Sequence, residues 1–462
     1  MPISPARNAA FAILLRVNKE DAYAAELLHA SQYATLAPAD HGLATELVMG
    51  VLRWQSVLDK KITAHSSQAI HKLDLEVLIS LRLGVYQIDF LERVPVRAAI
   101  HESVELVKQA RKRSAAGFVN AVLRKAAQQP AKPGLAAIGN ASTPQELAAW
   151  SAHSVWMVDR WINFYGLEST RQICNYDQRV PQTAIRFTDP AAEADLKAEG
   201  IELDPGELLT SARRVFSGDI TGTTAIRAGR VAIQDEASQL VALMLGKGER
   251  ILDCCAAPGG KTRVLAEENP RATILAVELH PHRARLLRKL ASNSNIEVLC
   301  ADTTQLPITA QFDRILVDAP CSGTGTLGRN PEIKWRLKPE DLSDLAGRQL
   351  AILQSAMQRL YPGGRLLYST CSLEPEENQK VVQQALASHR GFRLLHCQTE
   401  LDFLQREGKL SGEASGKIPL TTGPYLRTLP GVHPCEGFFA ALLEKTSKNC
   451  ESLILQVAGE QW

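Results

Sequence analysis

Two cysteines and an aspartate stand in short polar segments with the composition needed for nucleophilic chemistry. Asp318 and Cys321 belong to Asp318-Ala-Pro-Cys-Ser-Gly-Thr-Gly325, and Cys371 belongs to Tyr368-Ser-Thr-Cys-Ser-Leu-Glu-Pro375. Both cysteines are flanked by Pro, Ser or Thr, which favours a reactive loop thiol over a buried apolar one. A loop thiolate is a nucleophile for covalent catalysis, and spacing alone does not decide which of the two attacks.

Each of these segments follows an apolar run, and so does a third segment that carries a lysine. Ile251–Thr262 predicts a buried strand, a polar break with two glycines, and a helix that starts at Lys261. The glycines let a ligand approach the backbone, and the free N–H groups of the helix start face it. An ammonium such as that of Lys261 lowers the pKa of a neighbouring thiol. Because parallel strands end at one edge of a sheet, the three segments are expected to meet in one crevice.

The surrounding sequence alternates strand-like and helix-like runs, which predicts a largely parallel sheet covered by helices on both faces. The predicted elements are strands 250–254, 273–277, 296–300, 312–317 and 365–369, and helices 261–268, 280–291, 339–360 and 375–388. Acids follow the first three strands, as nucleoside binding requires. We expect Asp253 to brace its own loop, Glu278 to bind ribose hydroxyls, and Asp302 to accept from an adenine amino group. A phosphate-binding loop is rejected because Cys255 stands where that motif needs glycine.

Three long motifs carry a resemblance to one enzyme family. Asp253–Thr262, Asp318–Gly325 and Ser369-Thr-Cys-Ser-Leu-Glu-Pro-Glu-Glu-Asn378 are similar to motifs I, IV and VI of the RNA (cytosine-5)-methyltransferases of the Fmu/Sun/RsmB type. The resemblance covers nearly the whole chain up to residue 445. One departure is Glu278, which stands where this family usually has aspartate.

The resemblance implies that S-adenosyl-L-methionine methylates carbon 5 of a cytosine and leaves as S-adenosyl-L-homocysteine. A thiolate first adds to carbon 6, because carbon 5 alone is too weak a nucleophile. By resemblance, Cys371 attacks, Cys321 assists product release, Asp318 binds the ring edge, and Lys261 orients the thiolate or the cofactor carboxylate. The residues expected to bind the cofactor are Cys255, Ala256, Ala257, Pro258, Gly259, Gly260, Lys261, Glu278, Arg283, Asp302 and Asp318.

Residues 1–130 carry apolar residues at helical spacing without an alternating strand pattern, which predicts an all-α bundle. Pro95–Val104 and Gly117–Arg124 resemble the NusB-like RNA-binding domain that precedes this methyltransferase family. A basic run without acids falls in the matching segment, and we expect it to follow an RNA backbone rather than to be only a solvated helix face. Its members are Lys108, Arg111, Lys112, Arg113, Arg124 and Lys125.

The predicted fold is multidomain. The all-α NusB-like bundle is followed by a small α/β middle subdomain at 140–240, a Rossmann-like α/β methyltransferase domain at 241–446, and a tail at 447–462. The middle subdomain is expected to link the two larger domains and to bind RNA. Arg186 is expected to face RNA, because the family carries an arginine at this position. Trp150 is expected in the core.

The composition of the chain limits the class of protein and the partners that we expect. A net charge of +2 and a hydrophobic content of 45% are typical of a soluble globular chain and identify no partner. The nine cysteines show no metal-ligand spacing, so we expect no metal, a reducing cytoplasm, and Cys300 in the core. No run approaches the ~20 apolar residues of a membrane span, so no membrane partner is expected. We expect a monomer that binds RNA, in particular 16S ribosomal RNA. Transfer RNA as the substrate, or a non-catalytic RNA-binding assembly factor, are the alternatives.

Overall fold

The computed structural model describes residues 3–33, 35–129, 135–291, 293–411 and 419–446. The chain divides into two compact units. The first unit contains residues 1–181 and 327–337, and the second contains residues 182–326 and 338–462. Within the predicted middle subdomain, residues 140–181 belong to the first unit and residues 182–240 belong to the second.

The first unit is built from helices, as predicted for the amino-terminal region. They are α1 (Pro5–Glu20), α2 (Ala24–Leu28), α3 (Pro38–Arg53), α4 (Gln55–His65), α5 (Leu75–Phe90), α6 (Val96–Gln109), α7 (Ala116–Ala126), α8 (Leu135–Asn140), α9 (Pro144–Ser151) and α10 (Val155–Asp177). The apolar faces of α1 to α7 share one core, in which Leu14, Leu47, Leu81 and Leu123 are buried. Gly166 interrupts α10 with a φ of +79°, a left-handed conformation that glycine adopts without steric cost.

A four-stranded antiparallel sheet opens the second unit. Its elements are β1 (Thr183–Phe187), α11 (Ala192–Ala198), β2 (Glu202–Pro205), β3 (Ala212–Ser217), α12 (Thr224–Arg227) and β4 (Val231–Ile233). The strands lie in the order β2-β3-β1-β4. Ile185 and Val231 alternate with residues of the opposite face and pack with Leu196 of α11 in a small core.

The larger sheet of the second unit has the strand order β11-β12-β13-β9-β8-β5-β6-β7, with β10 paired to β13. Its strands β5 to β9 are parallel, whereas β13 runs antiparallel to β9. The elements in chain order, of which α16 belongs to the first unit, are α13 (Glu236–Leu243), β5 (Arg250–Asp253), α14 (Gly260–Glu268), β6 (Thr273–Glu278), α15 (Pro281–Leu290), β7 (Ile296–Cys300), β8 (Phe312–Asp318), α16 (Ile333–Arg336), α17 (Asp341–Met357), β9 (Leu360–Thr370), α18 (Gln379–Ser388), β10 (Phe392–Leu395), α19 (Cys397–Arg406), β11 (Thr421–Thr422), β12 (Tyr425–Arg427) and β13 (Phe439–Lys445).

Both faces of this sheet are covered, which confirms the predicted layered α/β architecture. Successive residues of one strand point to opposite faces, so Ile251 and Leu316 enter one core, whereas Leu252 and Ile315 enter the other. Strand β9 begins five residues earlier than predicted, and α18 begins four residues later. In the described part of the chain, no helix is both long and apolar enough to span a membrane.

Residues 327–337 pack into the first unit although they follow motif IV in sequence. The ammonium of Lys334 is fully buried and donates to the carbonyl oxygen of Arg53 at 2.8 Å. The indole N–H of Trp335 donates to the carbonyl oxygen of Leu52 at 2.6 Å. Burial lowers the pKa of Lys334. The segment is therefore an integral part of the helical core.

Candidate active site

Two neighbouring parallel strands bring the two predicted cysteines together. Strand β8 pairs with β9 so that Asp318 lies opposite Ser369, and the loops that follow the two strands run side by side. The Sγ atom of Cys321 lies 3.3 Å from the Sγ atom of Cys371. Both side chains are half-buried rather than sealed in the core. The N–H of Gly325 also donates to the carbonyl oxygen of Cys371 at 2.9 Å, which joins the loops through their backbones.

An ion pair lies beside the two sulfurs. The ammonium of Lys261 donates to Asp318 Oδ2 at 2.7 Å, and the hydroxyl of Ser369 donates to Asp318 Oδ1 at 2.8 Å. The ring of Phe438 lies 5.0 Å from the same ammonium. Burial alone would lower the pKa of Lys261, but the Asp318 carboxylate and the sulfur of Cys371 raise it above its ordinary value. Lys261 is therefore a fixed positive charge next to the thiols.

The two thiols differ in their surroundings. The hydrogen bond to Cys371, burial, and the charge of Glu377 together raise the pKa of Cys321 well above its ordinary value. Cys321 therefore keeps its proton at neutral pH. Cys371 is the sulfur that interacts electrostatically with Lys261, so the two thiols have different electrostatic surroundings.

A buried carboxylate and a close backbone contact fix the loops that carry the cysteines. The buried carboxylate of Glu377 accepts the hydroxyl of Ser322 and, at 2.5 Å, the hydroxyl of Ser372. Gly325 lies so close to the backbone of Gly437 that a Cβ atom on Gly325 would meet the Gly437 carbonyl oxygen at 2.2 Å. Only glycine fits at this close approach.

The acids predicted to follow the first three strands of this sheet lie at the carboxyl ends of β5, β6 and β7. Asp253 is buried and accepts the hydroxyl of Thr262 at 2.7 Å, which confirms that it braces its loop. Glu278 is buried, and its Oε1 accepts the N–H of His280 at 2.8 Å. Asp302 is exposed, and its Oδ1 accepts the N–H and the hydroxyl of Thr304.

The glycine loop of motif I packs against α15 at a position where a side chain would not fit. Gly259 has a φ of +111°, and a Cβ atom on it would lie 2.9 Å from Leu287. Arg283 donates to the carbonyl oxygen of Ala257 at 3.2 Å and so fixes the loop from the side of α15. This loop and the carboxylates of Glu278 and Asp302 fit a nucleoside cofactor. Among the residues described, no cluster of His, Cys, Asp and Glu could hold a metal ion.

Comparison with known proteins decides the family. Residues 240–444 match the family model of the 16S rRNA methyltransferase RsmB/F, and residues 4–128 match the model of the NusB family. The probable ribosomal RNA small subunit methyltransferase B of Bacillus subtilis is 34% identical over 95% of this chain and 98% of its own length. The chain belongs to the RsmB/F family of ribosomal RNA methyltransferases. A second RsmB/F relative, the ribosomal RNA small subunit methyltransferase B of Vibrio cholerae, is 31% identical over 89% of this chain and 91% of its own length.

A solved structure supports the fold of this RsmB/F methyltransferase. The crystal structure of PH0851 superposes with a TM-score of 0.77 over 96% of this chain and 100% of that chain, at 23% identity. Together with the family match, this confirms the predicted combination of a NusB domain with an α/β methyltransferase domain.

Among the predicted RNA-binding residues of the RsmB/F chain, those of the basic run lie at the surface, whereas Arg186 is buried. Exposed side chains at the end of α6, in the following turn and on α7 belong to Lys108, Arg111, Arg113, Arg124 and Lys125. Lys108 pairs with Glu105 at 2.7 Å, and the half-exposed Lys112 pairs with Asp74 at 3.0 Å. The basic run is thus a real surface feature, although two of its charges already have acidic neighbours.

Arg186 is a correction to the sequence prediction. Its side chain is only 5% exposed and bonds to Glu267 of α14 and to Gln234. Burial lowers the pKa of its guanidinium, and the Glu267 carboxylate opposes that shift. Arg186 therefore braces the small sheet against α14 and does not face RNA.

Sequence reasoning missed three residues that support the active site of this methyltransferase. Ser369 orients Asp318, Phe438 lies next to Lys261, and Glu377 binds both cysteine loops. Ser369 and Glu377 stand inside the motif VI segment, but the sequence does not indicate which groups their side chains contact. Phe438 directly precedes β13, and the antiparallel pairing of β13 with β9 brings it there.

Proposed function

We propose that this protein methylates carbon 5 of a cytosine in 16S ribosomal RNA, with S-adenosyl-L-methionine as the methyl donor, through a covalent bond between Cys371 and carbon 6 of the base. The observation that carries this proposal is the contact of two thiols at 3.3 Å beside the Lys261–Asp318 ion pair. A methyltransferase that modifies a nitrogen or an oxygen has no need for two apposed thiols, whereas carbon 5 needs activation by a nucleophile at carbon 6.

Cys371 is the nucleophile in this proposal, as the resemblance to the RNA enzymes implies. Its sulfur interacts electrostatically with the Lys261 ammonium, and the thiolate is the form of cysteine that attacks. The thiolate forms a bond to carbon 6, and the electron pair of the ring moves to carbon 5. When bound, S-adenosyl-L-methionine supplies the methyl group that carbon 5 then accepts.

Cys321 acts when the covalent bond breaks. A base accepts the proton of carbon 5, the electron pair of that C–H bond restores the ring double bond, and Cys371 leaves carbon 6 as a thiolate. Because Cys321 retains its proton and lies in contact with Cys371, it donates a hydrogen bond to the departing sulfur. This arrangement fits the predicted role of Cys321 in product release.

Asp318 recognises the edge of the cytosine ring. Lys261 donates to this carboxyl group, and a carboxylate oxygen can accept a further hydrogen bond from the exocyclic amino group of cytosine. Ser369 and Lys261 together fix the direction of that carboxylate. The target base must lie outside a helical stack to reach these groups.

The remaining assignments follow from the same proposal. Residues 255–260, Glu278 and Asp302 hold the methyl donor, and Arg283 fixes the loop that receives it. Exposed basic residues at the end of α6, in the following turn and on α7 bind the RNA backbone. The 16S specificity is carried over from the description of the family, and the names of the relatives specify ribosomal RNA of the small subunit. Action in the cytoplasm and a monomeric state stay predictions.

Trapping a covalent complex tests the proposal directly. RNA transcribed from 16S ribosomal RNA with 5-fluorocytosine keeps fluorine at carbon 5, so the elimination step stops and the protein stays attached. We expect the wild type to migrate with this RNA in a denaturing gel, and a transfer RNA transcript made in the same way to form much less complex. The absence of any complex with the wild type would overturn the covalent mechanism.

Two alanine variants test the roles of the cysteines. We expect C371A to form no complex and no methylated product, because the attacking sulfur is gone. We expect C321A to remain attached even to ordinary RNA, because departure of Cys371 is slow without its neighbour. Equal turnover in the two variants would show that the roles are assigned wrongly.

A further inference from the structure

One buried carboxylate connects the two loops that carry the cysteines. Glu377 is 0% exposed. Its Oε1 accepts the backbone N–H of Ser322 and the side-chain amide N–H of Gln349, both at 2.8 Å. Its Oε2 accepts the hydroxyls of Ser322 and Ser372. Burial of a carboxylate this deep in the protein costs free energy of desolvation, and hydrogen bonds from four donor groups offset much of that cost.

The donors come from the residues next to the two sulfurs. Ser322 directly follows Cys321, and Ser372 directly follows Cys371. The two serine hydroxyls are also 3.0 Å apart, so that both loops meet at one carboxylate oxygen. Glu377 is itself fixed, because the hydroxyl of Tyr368 donates to its carbonyl oxygen at 2.6 Å.

We propose that Glu377 is a positioning residue that sets the separation of Cys321 and Cys371. It acts through Ser322 and Ser372 and does not touch the sulfur atoms. This inference rests on the proposed function for its consequence in catalysis, but the placement of the two sulfurs can be measured without any methylation.

Two substitutions separate the reach of the side chain from its charge. E377D keeps the charge, but the side chain is about 1.5 Å shorter by one carbon–carbon bond, so it cannot hold both serines. E377Q keeps the reach: its amide oxygen accepts from the Ser322 N–H and from Gln349, and its amide nitrogen donates to the two hydroxyls. A positioning role requires that E377D is the more damaging change.

The first measurement is the rate of cross-linking of the two thiols by diamide. Diamide takes one hydrogen from each thiol and leaves a disulfide, which mass spectrometry detects as a peptide that joins Cys321 to Cys371. We expect rapid cross-linking in the wild type, at least tenfold slower cross-linking in E377D, and recovery of most of that loss in E377Q. The neighbouring Glu376, which pairs with Lys380 at 2.8 Å, supplies the matched control E376D.

The second measurement is the steady-state rate of methylation. A displacement of about 1 Å at reacting groups costs on the order of 10²-fold in rate, so we expect kcat of E377D to fall by that factor. The KM for the methyl donor should change less than about threefold, since no cofactor-binding residue moves. E377Q should regain at least tenfold in kcat.

The outcomes distinguish this inference from the proposed function. If E377D cross-links as fast as the wild type, or if E377Q is as slow as E377D, Glu377 does not set the separation. If instead the wild type cross-links rapidly but forms no covalent complex with 5-fluorocytosine RNA, the covalent mechanism fails and the positioning role of Glu377 stands.

Discussion

The buried aspartate at the end of β5 should weaken the fold as the pH rises. Asp253 is 1% exposed, and the hydroxyl of Thr262 donates to its Oδ2 at 2.7 Å. Burial raises its pKa from the ordinary value of 3.8 to about 7, and the hydrogen bond from Thr262 opposes this rise only in part. The charge of Asp318 adds to the rise.

The sign and size of the effect follow from proton linkage. The folded state holds the proton of Asp253 more tightly than the unfolded state, so the stabilising contribution is complete below pH 4 and is lost as the pH rises to about 7. A shift of about three pH units corresponds to about 4 kcal/mol in full. About 2.5 kcal/mol of this falls between pH 5 and pH 8.

Asparagine at this position has nearly the same shape and no proton to lose. We therefore expect the free energy of unfolding of D253N, measured with urea, to gain about 2.5 kcal/mol relative to the wild type when the pH is changed from 5 to 8. The exposed acid Asp302 at the same sheet edge provides the control D302N, which should follow the wild type. Parallel pH dependences of wild type and D253N would refute the argument that burial penalises this carboxylate.

Two further predictions concern the motif IV loop and the basic surface. A Cβ atom on Gly325 would lie 2.2 Å from a carbonyl oxygen, whereas one on Gly347 in α17 meets nothing within 4 Å. We expect G325A to lower kcat by on the order of 10²-fold through displacement of the loop. We expect G347A to keep full activity and to raise the free energy of unfolding by about 0.5–1 kcal/mol; equal methylation rates would contradict the steric argument. Alanine at four exposed basic positions should weaken RNA binding and reduce its slope against log salt by about 3, as measured by binding at several KCl concentrations. These positions are Arg111, Arg113, Arg124 and Lys125. The ion-paired Lys108 and Lys112 serve as the matched double variant, and an unchanged slope in the fourfold variant would remove this surface from the RNA path.

The parallel sheet and the meeting of the site residues could be predicted because both follow from local patterns. Apolar runs at 250–254 and 312–317 match β5 and β8 closely, since strands buried on both faces are continuous apolar runs. Because the two strands are parallel, the loops that follow them lie at the same edge of the sheet. The position of Asp318 and Cys321 near the other motifs could therefore be predicted without knowledge of side-chain positions.

Other features depend on partners far away in sequence and could not be predicted. Arg186 is buried because Glu267, 81 residues later, supplies its carboxylate. Cys300, expected in the core, is exposed because it lies at the end of β7, the edge strand of the larger sheet. Trp150 is 36% exposed on α9, whereas Trp161 is fully buried, and helical spacing alone did not separate the two.

The membership of residues 327–337 in the helical unit has a consequence for the order of events during synthesis. The amino-terminal helices leave the ribosome long before Lys334 and Trp335, whose hydrogen bonds to Arg53 and Leu52 complete that unit. Until translation passes residue 337, the nascent helices lack a piece of their own interior. For the same reason, no single proteolytic cut divides this polypeptide into two intact halves.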